Sequence, residues 1–520
     1  FPPHDSLCDT WGLVEKISLV RERGGGLGEE TRRHLEEQFF NKVKGTIQQN
    51  PREAKRGGLC GPKADIDAYA GLLEERNSDV ISGCHPWVEI FLFLRSGYRQ
   101  EALAVAEKIG SGRNLENFKL WINGGSHFSF DSDERGNMWK SAVFYVMGKG
   151  NERESDTNQV LSNIEDVVWS VLCRRDSESA QIELFEEMKA VGPAHFGDPV
   201  VYFSVLFYLQ KYNEAITFLY YESGSEDLVV EAVHMAIVIY QCKLGLDEGI
   251  FAEILKDYIR RFSPKECDMA LEYLLVLRGQ ERVFALTELL LDSLQFEKLG
   301  GTLDPDCNRE PGLIERRVGK EEIRKIFDQA AQEASKRGQL ANAVKFFFFA
   351  DKFDNGLEIL CNLLGREIVG SGDLGRRQKL VSLSYEYHAA LKRGNKVHKH
   401  HTMDSLRDLL DLASFFDSFQ QGRYHDALRI VYNLQLLPQT PSSDQSSVEK
   451  FETLMNDVRR NFSEVVVCAM KCLFMLSREA PHRDYKMRAD AIISFLDKID
   501  YQLSYGATEE IKGLLENGVW

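Results

Sequence analysis

A chain of 520 residues is long enough for two to four compact domains or one extended repeat array, so length bounds the core without choosing the architecture. Its 13 prolines are about half the usual ~5%, a scarcity that favours helix. A formal charge of −16 argues against a phosphate backbone or an anionic lipid surface as a direct target, because both are bound through clustered Lys and Arg. The ten cysteines are scattered singly, without the paired spacing of a disulfide-dense secreted domain, which suits a reducing compartment. No apolar run reaches the roughly 18 residues of a membrane span: "VHMAIVIY" carries His234 and "EVVVCAMKCLFML" is broken by Lys471. Because the sequence starts at Phe1 rather than Met, it reads as a piece of a longer protein, with any N-terminal targeting or binding segment outside it.

From the N-terminus, "RERGGGLGEETRR" (21–33) and "KRGGLCGPKAD" (55–65) read as loops. Helical patterning follows, and with it the first of four related joints: "GYRQEAL" (97–103), "QKYNEAI" (210–216), "GQLANAV" (338–344) and "GRYHDAL" (422–428). In each, a Gly-like turn leads to an acid or Asn, then to Ala102, Ala215, Ala343 or Ala427, then to an aliphatic residue. The turn joins two antiparallel helices, the acid suits the second helix's N-terminus, and the small Ala lets the pair approach closely. These alanines fall 113, 128 and 84 residues apart, so the array has no fixed period. The expected fold is all-α: an irregular solenoid of stacked antiparallel helix pairs. We expect one extended body over 1–520, with sub-blocks 1–85, 86–300 and 321–520 and a hinge loop at 301–320.

Further loops are expected at 123–137, 300–312, 370–377 and 438–447, and few or no strands, since no series of short alternating runs with hairpin turns is present. The run Phe346 to Phe349 sweeps about 300° of a helix, so it needs a helix sandwiched on several sides; core packing outweighs an exposed aromatic groove as its reading. "DSLRDLLDLASFFDSFQQG" from Asp404 predicts a helix covered on more than one face, with Thr402 or Asp404 as N-cap and Gly422 at its end.

Chemistry-bearing patterns fail on inspection. "GSGDLG" (370–375) spells G-x-G-x-x-G but follows a helix, not a buried strand. The glycines at 24–28 lack a following Lys-Ser/Thr, and "DSDERGN" (131–137) puts Arg135 and Ala142 where a calcium loop needs oxygen ligands. Cys468 and Cys472 lie one turn apart without a second pair, so core thiols outweigh a metal site, and "HKHH" (398–401) reads as a solvated loop. No catalytic residue, cofactor-binding residue or metal ligand is assigned.

An ordered series of stretches carries a resemblance: "DTWGLVEKIS", "HPWVEIFLFLRSG", "FKLWIN", "AVFYVMG", "DVVWSVLC", "VVYFSVLFYLQKYNEAITFLY", "EAVHMAIVIY", "EPGLIERR", "AAQEASKRGQLANAVKFFFFADKFDNGLEILCNLL", "LLDLASFFDSFQQGRYHDALRIVYNLQLLP" and "VRRNFSEVVVCAMKCLFML". The chain resembles the nucleoporin-interacting-component family, the inner-ring linker nucleoporins of the nuclear pore complex, nearly end to end. The resemblance implies a solenoid that folds back on itself, a non-enzymatic scaffold role in pore assembly and nucleocytoplasmic transport, and a place at the nuclear envelope. It further implies other nucleoporins as partners: a small membrane-side linker nucleoporin bound by the solenoid, and large inner-ring solenoids and the channel trimer bound through a region before Phe1. The loop 21–33 and "ESGSED" (222–227) match nothing in the family pattern. Phe474, Leu476, Phe495 and Tyr501 are the candidate partner-binding residues, as an open helical end could expose a helix-sized groove there, against ordinary core packing. A vesicle-coat or other membrane-traffic solenoid is the alternative function.

Overall fold

Each of the four joints reverses the chain in the same way. Gly97, Gln210, Gly338 and Gly422 lie at φ 81°, 62°, 73° and 72°, the left-handed region in which a helix ends within one residue. The following amide closes the turn on a carbonyl five residues back: Tyr98 on Phe93, Lys211 on Leu206, Gln339 on Ala334 and Arg423 on Ser418, all at 2.8–2.9 Å. The next helix starts at once, as Arg99–Ile109, Tyr212–Tyr221, Leu340–Phe349 and Tyr424–Asn433. Ala102, Ala215, Ala343 and Ala427 are each 0% exposed, as close helix approach requires.

A fifth copy escaped the sequence pattern. In "DKFDNGL" (351–357), Asp351 takes the left-handed position at φ 59°, and the Lys352 amide donates to the Phe347 carbonyl at 2.9 Å. Helix Phe353–Glu367 follows, with Gly356 where the other copies have Ala. A Cβ at Gly356 would stand 2.7 Å from Cε2 of Phe348, so here even alanine is too large. Asp in place of Gly and Gly in place of Ala hid the motif.

The computed structural model describes residues 7–22, 26–58, 60–76, 86–110, 113–124, 138–148, 155–174, 177–262, 266–293, 295–369, 374–396, 398–440, 444–479 and 483–516. The loop readings at 23–25, 125–137, 370–373 and 441–443 lie outside them. Among the described residues the fold is all-α apart from one hairpin. The chain divides into two compact units, Phe1–Tyr258 and Ile259–Trp520, at a point within helix Glu248–Arg260.

In the first unit the N-terminal helices Cys8–Glu22 and Leu27–Gln49 return onto helices far along the chain. Trp11 Nε1 donates to Glu231 Oε2 at 2.8 Å, and the Thr10 and Ser204 hydroxyls meet at 3.1 Å. The loop expected at 21–33 is mostly helix: acids Glu29 and Glu30 occupy the first turn of Leu27–Gln49, and Arg33 meets Glu29 at 2.6 Å one turn on. Glycine content masked that charge pattern, which favours a helix start. Helix Pro62–Arg76 similarly begins inside the loop expected at 55–65.

In the second unit the Phe run forms the end of helix Leu340–Phe349, and Phe346 to Phe349 are 4%, 7%, 0% and 0% exposed. Phe346 and Phe349 meet Phe296 edge-on at 5.4 and 5.3 Å, and Phe349 also packs on Phe327 at 5.0 Å. On another side Phe348 contacts Phe353 at 5.4 Å and Tyr387 at 4.1 Å. Each such ring contributes roughly 1.5–3 kcal/mol through burial.

The segment 300–312 is an antiparallel hairpin of Gly301–Leu303 and Arg309–Pro311, with Thr302 opposite Glu310. Arg309 donates to the Phe349 carbonyl at 2.9 Å and pairs with Glu315 at 2.6 Å. Arg393 reaches the Pro305 carbonyl at 2.7 Å, and Gly394 sits so near that a Cβ would be 2.1 Å from the Asp306 carbonyl oxygen. The hairpin is thus fastened to the Phe helix on one side and to the end of helix Leu374–Arg393 on the other. Helix His400–Gln420 ends at Gly422 as expected but starts before Thr402 and Asp404. Its start is set from outside, where the Lys399 amide donates to Asp354 Oδ1 at 2.7 Å.

Gly356→Ala should cost about 1–3 kcal/mol by overpacking against Phe348. Gly45→Ala, in a helix with nothing within 4 Å of the new Cβ, should instead stabilise by about 0.5–1 kcal/mol. Urea unfolding of the two variants checks the opposite signs.

Candidate functional site

The four residues expected at a C-terminal groove separate by depth. Phe495 (0% exposed) and Leu476 (3%) belong to the core. They fall there because helices Phe462–Glu479 and Arg483–Leu496 turn these positions inward against each other. Tyr501 is half-buried, its ring 5.6 Å from Phe451 and 5.3 Å from Phe462, with its hydroxyl donating to the Arg459 carbonyl at 3.3 Å. Phe495 joins the same aromatic group through Phe462 at 6.3 Å. Phe474 is half-buried, with the Arg478 guanidinium 6.0 Å from its ring centre. Cys468 and Cys472 are core thiols, and burial pushes both up to about 12. At neutral pH these buried thiols hold their protons.

In the first unit a buried polar cluster joins three helices. Arg95, 3% exposed, donates through Nε to Asp166 at 2.7 Å and through Nη1 to the Leu35 carbonyl at 2.6 Å. Its guanidinium lies 4.8 Å from the Phe39 ring and 5.2 Å from that of Trp169. Trp169 Nε1 donates to Glu36 Oε1 at 3.2 Å, and Arg32 closes on the same carboxylate at 2.7 Å. Helix Leu27–Gln49 is thereby locked to Pro86–Arg95 and Ile164–Cys173.

Beside this cluster opens a cleft of about 400 Å³. Phe39, Val200, Val201, Val205 and Tyr208 form its apolar lining, and its charged groups are Asp9, Lys42, Glu165 and Asp198 together with Arg95 and Asp166 of the cluster. Burial pushes the Tyr208 phenol up to about 12. Residues from five helices and their caps meet here, so no local pattern announces it; the one visible signal was a lone Arg95 in the apolar "IFLFLRSG". Nearby His34 is 5% exposed, with Lys16 Nζ 3.4 Å from its Nδ1. Burial first, and Lys16 second, push it down to about 4.

Among the described residues no group of three or more His, Cys, Asp and Glu is arranged to hold a metal ion, and no helix is long and apolar enough to cross a membrane.

Stacked helix pairs, buried fastenings and surface clefts define a helical scaffold protein. The sequence profile of the Nup93/Nic96 family matches residues 25–129 and 125–505. The chain belongs to that family. It is 27% identical to "Nuclear pore complex protein Nup93" of Danio rerio over 97% of this chain and 69% of that protein. Against "Nucleoporin NIC96" of Saccharomyces cerevisiae it is 24% identical, over 90% of this chain and 63% of the relative. The crystal structure of Chaetomium thermophilum Nic96 SOL aligns over 94% of this chain and 86% of that one, at TM-score 0.49 and 20% identity. The chain is a scaffold nucleoporin located at the nuclear pore complex, and a vesicle-coat role is not favoured.

Phe495→Ala should cost about 3–5 kcal/mol, as loss of a fully buried ring does, while half-buried Phe474→Ala costs clearly less; urea midpoints distinguish them. Below pH 6.5 unfolded His34 takes up a proton that the folded site, at about 4, refuses, so stability should fall as pH drops through that window. His34→Gln should remove that part of the slope of urea midpoint against pH.

Proposed function

We propose that this chain is a non-catalytic linker of the inner ring, whose helical body holds short segments of other nucleoporins, among them the small membrane-side linker nucleoporin. Through those contacts it supports pore assembly and nucleocytoplasmic transport. The observation that carries the reading is the extent of the family match, which runs through 25–505 and so takes in the helical body of both units. The helices supply a rigid surface; a disordered segment bound on it pays its ordering cost only on docking, which suits linker proteins that must join large rigid parts. Contacts with the large inner-ring solenoids and with the channel trimer are assigned, by the same resemblance, to a region separate from this body. Within the second unit, Phe474 and Tyr501 are the two expected contact residues that keep part of their surface.

Calorimetry of the 520-residue chain against peptides of the small membrane-side linker nucleoporin tests the proposal. Binding at about micromolar Kd or tighter (near −8 kcal/mol) is expected. Silence with every nucleoporin peptide, alongside co-purification with coat subunits, would overturn it.

A further inference from the structure

We infer that the cleft of the first unit receives a short peptide segment carrying Lys or Arg among apolar residues. The inference goes beyond the linker role proposed above, because the site lies in the first unit and uses none of the C-terminal residues.

Charge comes first. Four carboxylates line the cleft, those of Asp9, Glu165, Asp166 and Asp198, with two cations, Arg95 and Lys42. Arg95 and Asp166 neutralise one another at 2.7 Å. Three carboxylates then face Lys42 alone, and among the described residues neither Asp9 nor Glu165 meets an oppositely charged side chain within ion-pair distance. Asp198 spends one oxygen on the Val200 amide at 2.8 Å, capping its helix, but keeps its charge. Asp9 and Asp198 are exposed and Glu165 half-exposed, so a cationic head reaching them stays at the mouth.

Depth and hydrogen bonding select a peptide over a lone cation. Below the mouth, Val200, Val201, Val205, Phe39 and Tyr208 offer apolar wall along which the methylene stem of Lys or Arg lies while its head stays at the carboxylates. The buried Arg95 contributes to the lining, and with Nε and Nη1 committed its Nη2 remains to donate to a backbone carbonyl. Asn163 at the rim makes no side-chain cap hydrogen bond to its own helix, so its amide can pair with a main chain. A volume of about 400 Å³ takes one long side chain with its flanking residues.

The test is fluorescence anisotropy of the whole chain with labelled peptides that share a Val/Leu framework and carry Lys, Gln or Glu at alternate positions. The Lys peptide should bind, the Gln peptide about tenfold more weakly and the Glu peptide not measurably. Glu165→Lys should weaken Lys-peptide binding about tenfold and Lys42→Glu tighten it about fivefold, while Glu358→Lys on the surface of the second unit leaves it unchanged. Glu165 is half-exposed and Lys42 and Glu358 exposed, so these variants keep the fold, as their melting curves would verify. Equal binding of the Glu peptide, or an affinity unmoved by both Glu165→Lys and Lys42→Glu, would overturn the inference. Capture of a linker-nucleoporin peptide without any Lys-peptide binding would overturn it alone and leave the proposed function intact.

Discussion

Everything in this molecule depends on a helix that can stop within one residue. The left-handed turn at Gly97, Gln210, Asp351, Gly338 and Gly422 ends one helix and lets the next begin two residues later. With so little chain between them, consecutive helices must lie side by side, and the residue at their closest approach must be small. Ala102, Ala215, Ala343 and Ala427 fill that place at 0% exposure, and Gly356 fills it where the Phe348 ring leaves no room for a methyl group. A helix held on either side by such partners can afford apolar residues around most of its circumference, which is how four successive phenylalanines coexist with a net charge of −16.

Polar fastenings fix what apolar packing alone would leave free to slide. Arg95 meets a carboxylate, a carbonyl and two aromatic faces at once, so sliding any of its three helices would break at least one of these contacts. Arg309 plays the same part in the second unit, tying the hairpin to the Phe349 carbonyl and to Glu315. Asp408, 2% exposed, meets Lys450 at 2.6 Å. Burying such charges is costly, so they add less stability than their short distances suggest; their geometric demands nevertheless penalise a shifted register, which would leave a buried charge unpaired. A scaffold nucleoporin has use for that rigidity, since a surface that does not rearrange can hold flexible partners at fixed positions.

Where the sequence reading failed, non-local contacts decided. The segment 300–312 has the Gly, Pro and Asp content of turns, and Asp304, which accepts from the Asp306 and Asn308 amides, does make one; what no local pattern announces is that Arg393, Lys396 and the Phe349 carbonyl hold the resulting hairpin in place. Helix His400–Gln420 starts where Asp354 receives the Lys399 amide, a contact 45 residues apart in sequence that no capping rule foresees. Phe495 and Leu476 were legible as apolar and helical, but whether a face is the last of a stack or is covered depends on the helices that follow. The cleft beside Arg95 draws on residues from Asp9 to Tyr208, so only the completed first unit brings them together.

By itself the sequence determined the helical class, the four regular joints, the burial of the Phe run and the family, because each rests on local spacing or on an ordered series of local patterns. The fifth joint is just as local, but Asp351 and Gly356 stand where the other copies have Gly or Gln and Ala; tertiary structure alone decided how the hairpin is held, the return of the N-terminal helices onto the chain and the position of the cleft. The physical reason is range: helix periodicity and turn chemistry act over a few residues, whereas a Trp11–Glu231 bond or an Arg95–Leu35 bond joins residues whose separation of 220 or 60 positions carries no pattern.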